Sequence, residues 1–151
     1  MKRITVIAAT GAFILAAPIA IAVSAGADDA PIRVAQADDA ALLAALIDEG
    51  EDLYSTWCAG CHGVDGEGTA GPRLATGPSP DFIQSSVVKS AGSLAAQILG
   101  GNPDRGMPAL GGNLTDREVS AIGTYVRNSW GPEGEGNDFG ILPETSVATR
   151  R

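Results

Sequence analysis

Apolar residues recur at helical spacing in the part of the chain that precedes its cysteines. Residues 40–47 place four large apolar side chains on one face: Leu42, Leu43, Leu46 and Ile47. The same spacing resumes from Glu51 to Ala59, so Gly50 either breaks a helix or provides a flat place where another helix crosses closely. Gly50, Tyr54 and Cys58 fall at i, i+4 and i+8, which stacks them on one side of such a helix.

The most regular apolar pattern follows residue 115. Thr115 and Glu118 stand three residues apart, as in a capping box, and predict the start of a helix. The apolar positions that follow are Val119, Ile122, Val126 and Trp130, with Tyr125 beside them. Gly131 and Pro132 predict the end of this helix.

Glycine and proline dominate the stretches at residues 63–80 and 100–113, which we predict to be loops. Ser79 begins a predicted short helix through about Val88, and Ser93 begins another through Leu99. The sequence contains no internal repeat and no alternating strand pattern of any length. The predicted fold class is therefore all-α, with three to five helices.

The first 25 residues have the pattern of an export signal. A positive leader, Met1-Lys2-Arg3, precedes an apolar run that closes on small residues at Val23-Ser24-Ala25. The run is longer than the usual signal core of about 7–15 residues, so an uncleaved membrane anchor is the alternative. We predict a signal peptide over 1–25, a linker over 26–39, one domain over 40–131 and a flexible tail over 132–151.

Charge and composition narrow the classes of function. Without residues 1–25, which hold Lys2 and Arg3 and no acidic residue, the chain has 8 basic and 18 acidic side chains, a net charge of −10 over 126 residues. A nucleic-acid binder would need the opposite balance. Aromatic residues are few, at 5%, while 20 glycines are present. The polypeptide alone would build a thin core, which suggests that another group fills the centre.

Both cysteines and the only histidine lie together in Cys58-Ala-Gly-Cys61-His62. A disulfide between the two cysteines would close a very small loop and leave His62 unexplained. A structural zinc site normally has four Cys or His ligands, whereas this motif offers three. A reactive dithiol normally lies at the start of a helix, whereas these cysteines lie at the end of the predicted helical segment. Covalent haem attachment uses all three side chains, because Cys-x-x-Cys-His is the c-type haem signature. We therefore favour one covalent haem c with its iron, with disulfide, zinc site and dithiol as the alternatives.

One further side chain is a candidate iron ligand. Met107 is the only methionine beyond residue 1 and lies 45 residues after His62, in a glycine-rich loop and followed by Pro108. The alternative is a methionine that fills a gap in the core. Ligation by His and Met would raise the reduction potential relative to two histidines.

Several motifs together resemble class I cytochromes c over about residues 48–131. They are Cys58 to Gly63, Gly71-Pro72-Arg73-Leu74, Gly106 to Leu110, Leu114-Thr115-Asp116 and Tyr125 to Gly131. The resemblance implies that Cys58 and Cys61 form the thioether links and that His62 and Met107 are the axial ligands. It further implies that the Pro72 carbonyl orients His62, and that the first and last helices cross so that Gly50 and Tyr54 meet Ile122 and Tyr125.

The resemblance implies a one-electron carrier of a periplasmic respiratory chain and not an enzyme. Its final motif resembles that of cytochromes serving periplasmic dehydrogenases, so we expect such a dehydrogenase as donor and an oxidase, reductase or other cytochrome as acceptor. Mitochondrial-type relatives dock through lysines, whereas Lys89 is the only lysine after residue 25. A basic or neutral partner face is therefore expected. There are two alternatives: a haem-based gas or peroxide sensor or enzyme with a labile Met107, and a fixed subunit of an oxidoreductase. Nucleic acid is not expected as a partner. A membrane is expected as a partner only if the first segment stays uncleaved.

Overall fold

A computed structural model describes residues 30–75, 90–130 and 138–151. Within those ranges the chain forms five α-helices and one 3₁₀ helix, and contains no β-strand. The α-helices are α1 (Ala30–Trp57), α2 (Ala59–His62), α3 (Ala91–Gly100), α4 (Asp116–Asn128) and α5 (Glu144–Ala148). The 3₁₀ helix is Pro103–Arg105. The all-α prediction is confirmed.

Helices α1 and α4 cross closely at Gly50. A Cβ atom added to Gly50 would lie 2.2 Å from the Ala121 carbonyl oxygen and 2.7 Å from Tyr125 Cβ. The helix continues through Gly50, so the flat-place interpretation is confirmed and the helix break is wrong. Only a residue without a side chain allows the two backbones to approach this far.

Aromatic side chains hold the two helices together next to the crossing. The rings of Tyr54 and Tyr125 have centroids 5.4 Å apart, and Trp130 lies 5.2 Å from Tyr54 and 5.4 Å from Tyr125. Ile122 belongs to the same buried cluster. The predicted meeting of Tyr54 with Tyr125 is therefore confirmed, and the offset or edge-on ring geometry is the favourable one for aromatic pairs.

Helix α4 begins as its sequence predicts. The Thr115 hydroxyl accepts from the Glu118 amide at 3.3 Å, while the Thr115 amide donates to the Glu118 carboxylate at 2.7 Å. Val119, Ile122 and Val126 are buried. The helix ends at Asn128, with Ser129 as its C-cap; the predicted stop at residues 131–132 lies outside the described residues.

Helix α3 starts earlier than predicted. Ser90 is its N-cap, accepting a hydrogen bond from the Ser93 amide at 3.3 Å, so residue 93 lies inside the first turn. The helix runs through Gly100, one residue beyond the predicted Leu99. The predicted helix over 79–88 lies outside the described residues, as does the segment 1–25.

Two stretches outside the predicted domain are helical or packed. Residues 30–39, expected as a linker, belong to α1; alanine is frequent there and has the highest helix propensity. Residues 138–151, expected to be flexible, contain Leu142 and Val147, both completely buried. No periodic apolar pattern in residues 138–151 indicated that burial. In the parts of the chain described, no helix is sufficiently long and apolar to cross a membrane.

Candidate functional site

The two cysteines and His62 lie where the first helix turns into the following loop. Helix α1 ends at Trp57, and the Cys58 amide still donates to the Tyr54 carbonyl at 2.8 Å. The His62 amide donates to the Cys58 carbonyl at 2.9 Å, which closes the single turn of α2. The short turn therefore places both thiols and the imidazole on one compact piece of backbone, as the sequence predicted.

The loop after His62 folds back onto the motif. The Gly68 amide donates to the His62 carbonyl at 2.7 Å, and the Gly71 and Thr69 amides donate to the Cys61 carbonyl at 2.7 and 3.0 Å. These bonds satisfy the carbonyls at the end of α2, which a helix end otherwise leaves without partners. They also fix the loop that carries Pro72.

The imidazole of His62 is oriented by the backbone. Its Nδ1 lies 2.8 Å from the Pro72 carbonyl oxygen. Since a carbonyl only accepts, Nδ1 carries the proton, and in the neutral imidazole Nε2 is then the nitrogen with a free lone pair. This is the arrangement by which proteins orient a histidine that binds a metal.

Tyr54 joins the motif to the aromatic cluster. Its hydroxyl donates to the Gly63 carbonyl at 2.8 Å, and the side chain is buried. Burial, with smaller contributions from Cys58 and nearby acidic groups, raises the pKa of Tyr54, so the phenol stays protonated and keeps donating. The helix crossing thus fixes the position of the residue after His62.

The two thiols are free of a disulfide, and the environment of Cys58 differs from that of a reactive thiol. Burial, followed by the charge of Cys61, raises the pKa of the Cys58 thiol to about 11. Reactive dithiols have a lowered pKa instead. Across residues 30–75, 90–130 and 138–151, no three His, Cys, Asp or Glu side chains come together as in a metal-binding cluster. The dithiol alternative therefore gains no support from the environment of Cys58.

Met107 lies in the loop after α3, and the contacts described for it are with residues of that region, not with the motif. The Asn102 amide donates to the Met107 carbonyl at 2.9 Å, and the Met107 amide donates back to the Asn102 carbonyl at 3.1 Å. The Gln97 side-chain amide of α3 donates to the Met107 sulfur at 3.2 Å. The backbone of Met107 is therefore paired with Asn102, and its sulfur accepts a hydrogen bond from Gln97.

Sequence reasoning missed Gln97. It is the one amide side chain in the stretch Ala91–Gly100, where Leu94, Ala95, Ile98 and Leu99 are buried. A single amide side chain beside a buried helical face was the available signal, but only the folded loop shows which atom it contacts.

The chain matches the family described as cytochrome c oxidase, cbb3-type, subunit III over residues 45–126. It belongs to this family of c-type cytochromes. The match covers more than half of the chain. As a member it carries covalently bound haem c, which contains iron. It is an electron carrier and not an enzyme, and it exchanges electrons with redox partners.

Two cytochromes c6 are among the proteins to which the chain is similar, and a solved structure also resembles it in part. Cytochrome c6 of Gracilaria tenuistipitata var. liui is 29% identical over 85 residues, which are 56% of this chain and 74% of that protein. Cytochrome c6 of Porphyra purpurea is 30% identical over 87 residues, covering 55% and 71% of the two chains. The crystal structure of cytochrome cL from Methylophaga aminisulfidivorans MPT superposes with a TM-score of 0.46 at 33% identity, covering 56% of this chain and 53% of that one.

Proposed function

We propose that this protein is an exported one-electron carrier whose single haem is attached through Cys58 and Cys61. His62 would hold the iron through Nε2, with the Pro72 carbonyl fixing the ring, and Met107 would be the second iron ligand. The observation that carries the proposal is the 2.8 Å contact between His62 Nδ1 and the Pro72 oxygen, because it leaves Nε2 for a metal.

The contacts of Met107 support its role as a ligand. A thioether sulfur has two lone pairs; one accepts from Gln97, and the other stays available to a metal. A methionine that only filled a core gap would not need a hydrogen-bond donor at its sulfur. Met107 is also only half-buried, which is unusual for a core-filling residue.

The haem supplies the one-electron chemistry, and the protein supplies position and electrostatics. If His62 and Met107 both held the iron, a substrate or diatomic gas would have to displace Met107 to reach it. The arrangement therefore favours electron transfer over substrate binding. A weakly donating thioether also favours ferrous iron and raises the potential.

The surface beside the motif supports a docking role. Trp57 is 41% exposed and Val64 is 64% exposed, one residue before and two residues after Cys58 to His62. Asp65 and Glu67 lie exposed in the same loop. An apolar face with acidic neighbours suits a partner with a basic or neutral face. We propose a periplasmic dehydrogenase as the donor and an oxidase, reductase or other cytochrome as the acceptor.

The family description favours a second candidate, a fixed subunit of an oxidoreductase complex, because the matched family is named for an oxidase subunit. The chemistry would be the same, with a permanent partner. Size-exclusion chromatography of the native protein distinguishes the two: a free carrier elutes at the mass of this chain, and a subunit elutes with its complex.

Replacing Met107 tests the ligand assignment. Met107→Ala should keep the haem attached, because the thioether bonds involve other residues, while the reduction potential falls and the ferrous protein binds CO. Spectroelectrochemical titration and a CO difference spectrum measure both. An unchanged potential and unchanged CO binding would show that Met107 is not a ligand.

A further inference from the structure

We propose that residues 138–151, here named the clamp segment, hold the Met107 loop in place, with Arg151 as the positioning residue. This inference rests on the proposed ligation by Met107. The clamp segment lies beyond residues 45–126, the range that matches the family. Its role therefore does not follow from family membership.

The clamp segment is anchored on α4 at Leu142. A Cβ atom added to Gly123 would lie 2.3 Å from Leu142 Cδ1, so the missing side chain makes room for this leucine. The Ser120 hydroxyl donates to the Leu142 carbonyl at 2.6 Å, and the Leu142 amide donates to the Thr124 hydroxyl at 3.0 Å. Both polar groups of the buried residue are thereby satisfied.

A second anchor lies at the end of α4. The Asn128 amide nitrogen donates to the Gly140 carbonyl at 3.1 Å, and the Gly140 amide donates back to the Asn128 oxygen at 3.1 Å. The buried Arg127 guanidinium donates to the carbonyls of Phe139 and Gly140. Together with the buried Val147 in α5, these contacts fix the path of the segment toward Arg151.

Arg151 contacts the loop that follows Met107. Its guanidinium donates to the Gly111 carbonyl, to the Leu114 carbonyl at 2.5 Å, and to the Asp116 carboxylate at the start of α4. The planar fork of an arginine suits such simultaneous contacts, which a lysine cannot reproduce. One side chain thus connects three points between residues 111 and 116.

The other side of the same loop is bound to α3. The Leu110 amide donates to the Ile98 carbonyl at 3.2 Å, and the Gly111 amide donates to the Leu99 carbonyl at 3.1 Å. Residues 110–114 therefore lie between α3 and Arg151, directly after Met107. Loops open locally at a lower free energy than the whole domain unfolds. Contacts on both sides raise the free energy needed to move Met107 away from a ligating position.

Imidazole binding to the oxidised, haem-loaded protein measures this effect, because imidazole must displace Met107. Arg151→Gln should raise the apparent affinity for imidazole about fivefold or more, the change expected for losing one net hydrogen bond. Arg150→Gln is the matched control: it removes the same charge one residue away, from a guanidinium that lies over Gly92 on α3. This control should change the affinity less than about twofold.

Hydrogen exchange of the same proteins tests the structural cause. In Arg151→Gln the amides of Leu110 and Gly111 should exchange faster, whereas the amides of α1 at the Gly50 crossing should not change. Arg151→Lys keeps the charge beside Asp116 and should give an intermediate affinity. If Arg151→Gln yields no haem-loaded protein, the imidazole affinity of Arg151→Lys is compared with that of Arg150→Gln instead.

Equal imidazole affinities for the Arg151 and Arg150 variants would overturn the clamp, as would faster exchange with no change in affinity. Met107→Ala separates this failure from failure of the proposed function. If the unaltered protein binds imidazole as readily as Met107→Ala does, the ligand assignment itself is wrong. If the unaltered protein binds imidazole much more weakly than Met107→Ala does, and Arg151→Gln has the same affinity as the unaltered protein, only the clamp is wrong.

Discussion

Removing the hydrogen bond from Gln97 to the Met107 sulfur should lower the reduction potential. The amide donor withdraws electron density from the sulfur, so the sulfur donates less to the iron and the ferrous state is favoured. Gln97→Leu keeps a side chain of similar bulk beside the buried face of α3 and removes the donor at 3.2 Å. The oxidised state should gain relative stability in this variant.

The magnitude follows from the strength of one hydrogen bond. A net contribution of about 0.5–1.5 kcal/mol, expressed for a one-electron couple at 59 mV per 1.4 kcal/mol, corresponds to roughly 20–60 mV. The bond is present in both redox states, so only the difference in its strength between them counts. The upper end of that range is therefore a ceiling.

Spectroelectrochemical titration of the unaltered protein and Gln97→Leu measures the shift directly. The control is the same substitution in the Met107→Ala background, since a double-mutant cycle isolates the coupling between two residues. There the effect of Gln97→Leu should largely vanish. An equal shift in both backgrounds, a raised potential, or no shift would refute the reasoning.

The remaining predictions concern the fold and the haem attachment. Gly50→Ala should destabilise the protein by about 2 kcal/mol in urea unfolding, because overpacking against backbone atoms takes the upper end of the range of about 1–3 kcal/mol and the better helix propensity of alanine offsets up to about 1 kcal/mol. Gly100→Ala, where an added Cβ meets nothing within 4 Å, is its control and should leave the stability equal or higher; equal losses in both variants would contradict the close crossing. Cys58→Ser combined with Cys61→Ser should abolish covalent haem and leave the exported chain poorly folded by circular dichroism. A compact, haem-free double variant would show that the polypeptide builds its own sufficient core.

Much of the fold could be predicted because local patterns determine it. The capping box at Thr115 and the apolar face of α4 depend on residues within one helix, and both are as the sequence indicates. The Gly50 crossing was predictable as one of two interpretations, since a glycine at helical spacing with Tyr54 suits either a break or a close contact. Only the position of Ala121 on the opposing helix decides between them.

The parts that differed from prediction depend on distant contacts. Leu142 and Val147 follow no helical or strand periodicity in the sequence. The burial of Leu142 depends on the space left by Gly123 on α4, which local pattern does not reveal. Gln97 and Arg151 likewise act on atoms in another part of the chain. The proximity of His62 to Pro72 was expected from the resemblance to class I cytochromes c and not from the spacing of the residues.

The visible absorption spectrum of the reduced, haem-loaded protein, recorded before and after adding CO, tests the central claim most directly. Sharp low-spin c-type bands that CO does not change are the predicted result, because His62 and Met107 then occupy both axial positions. Bands that shift with CO would contradict ligation by Met107 and favour a gas-binding role.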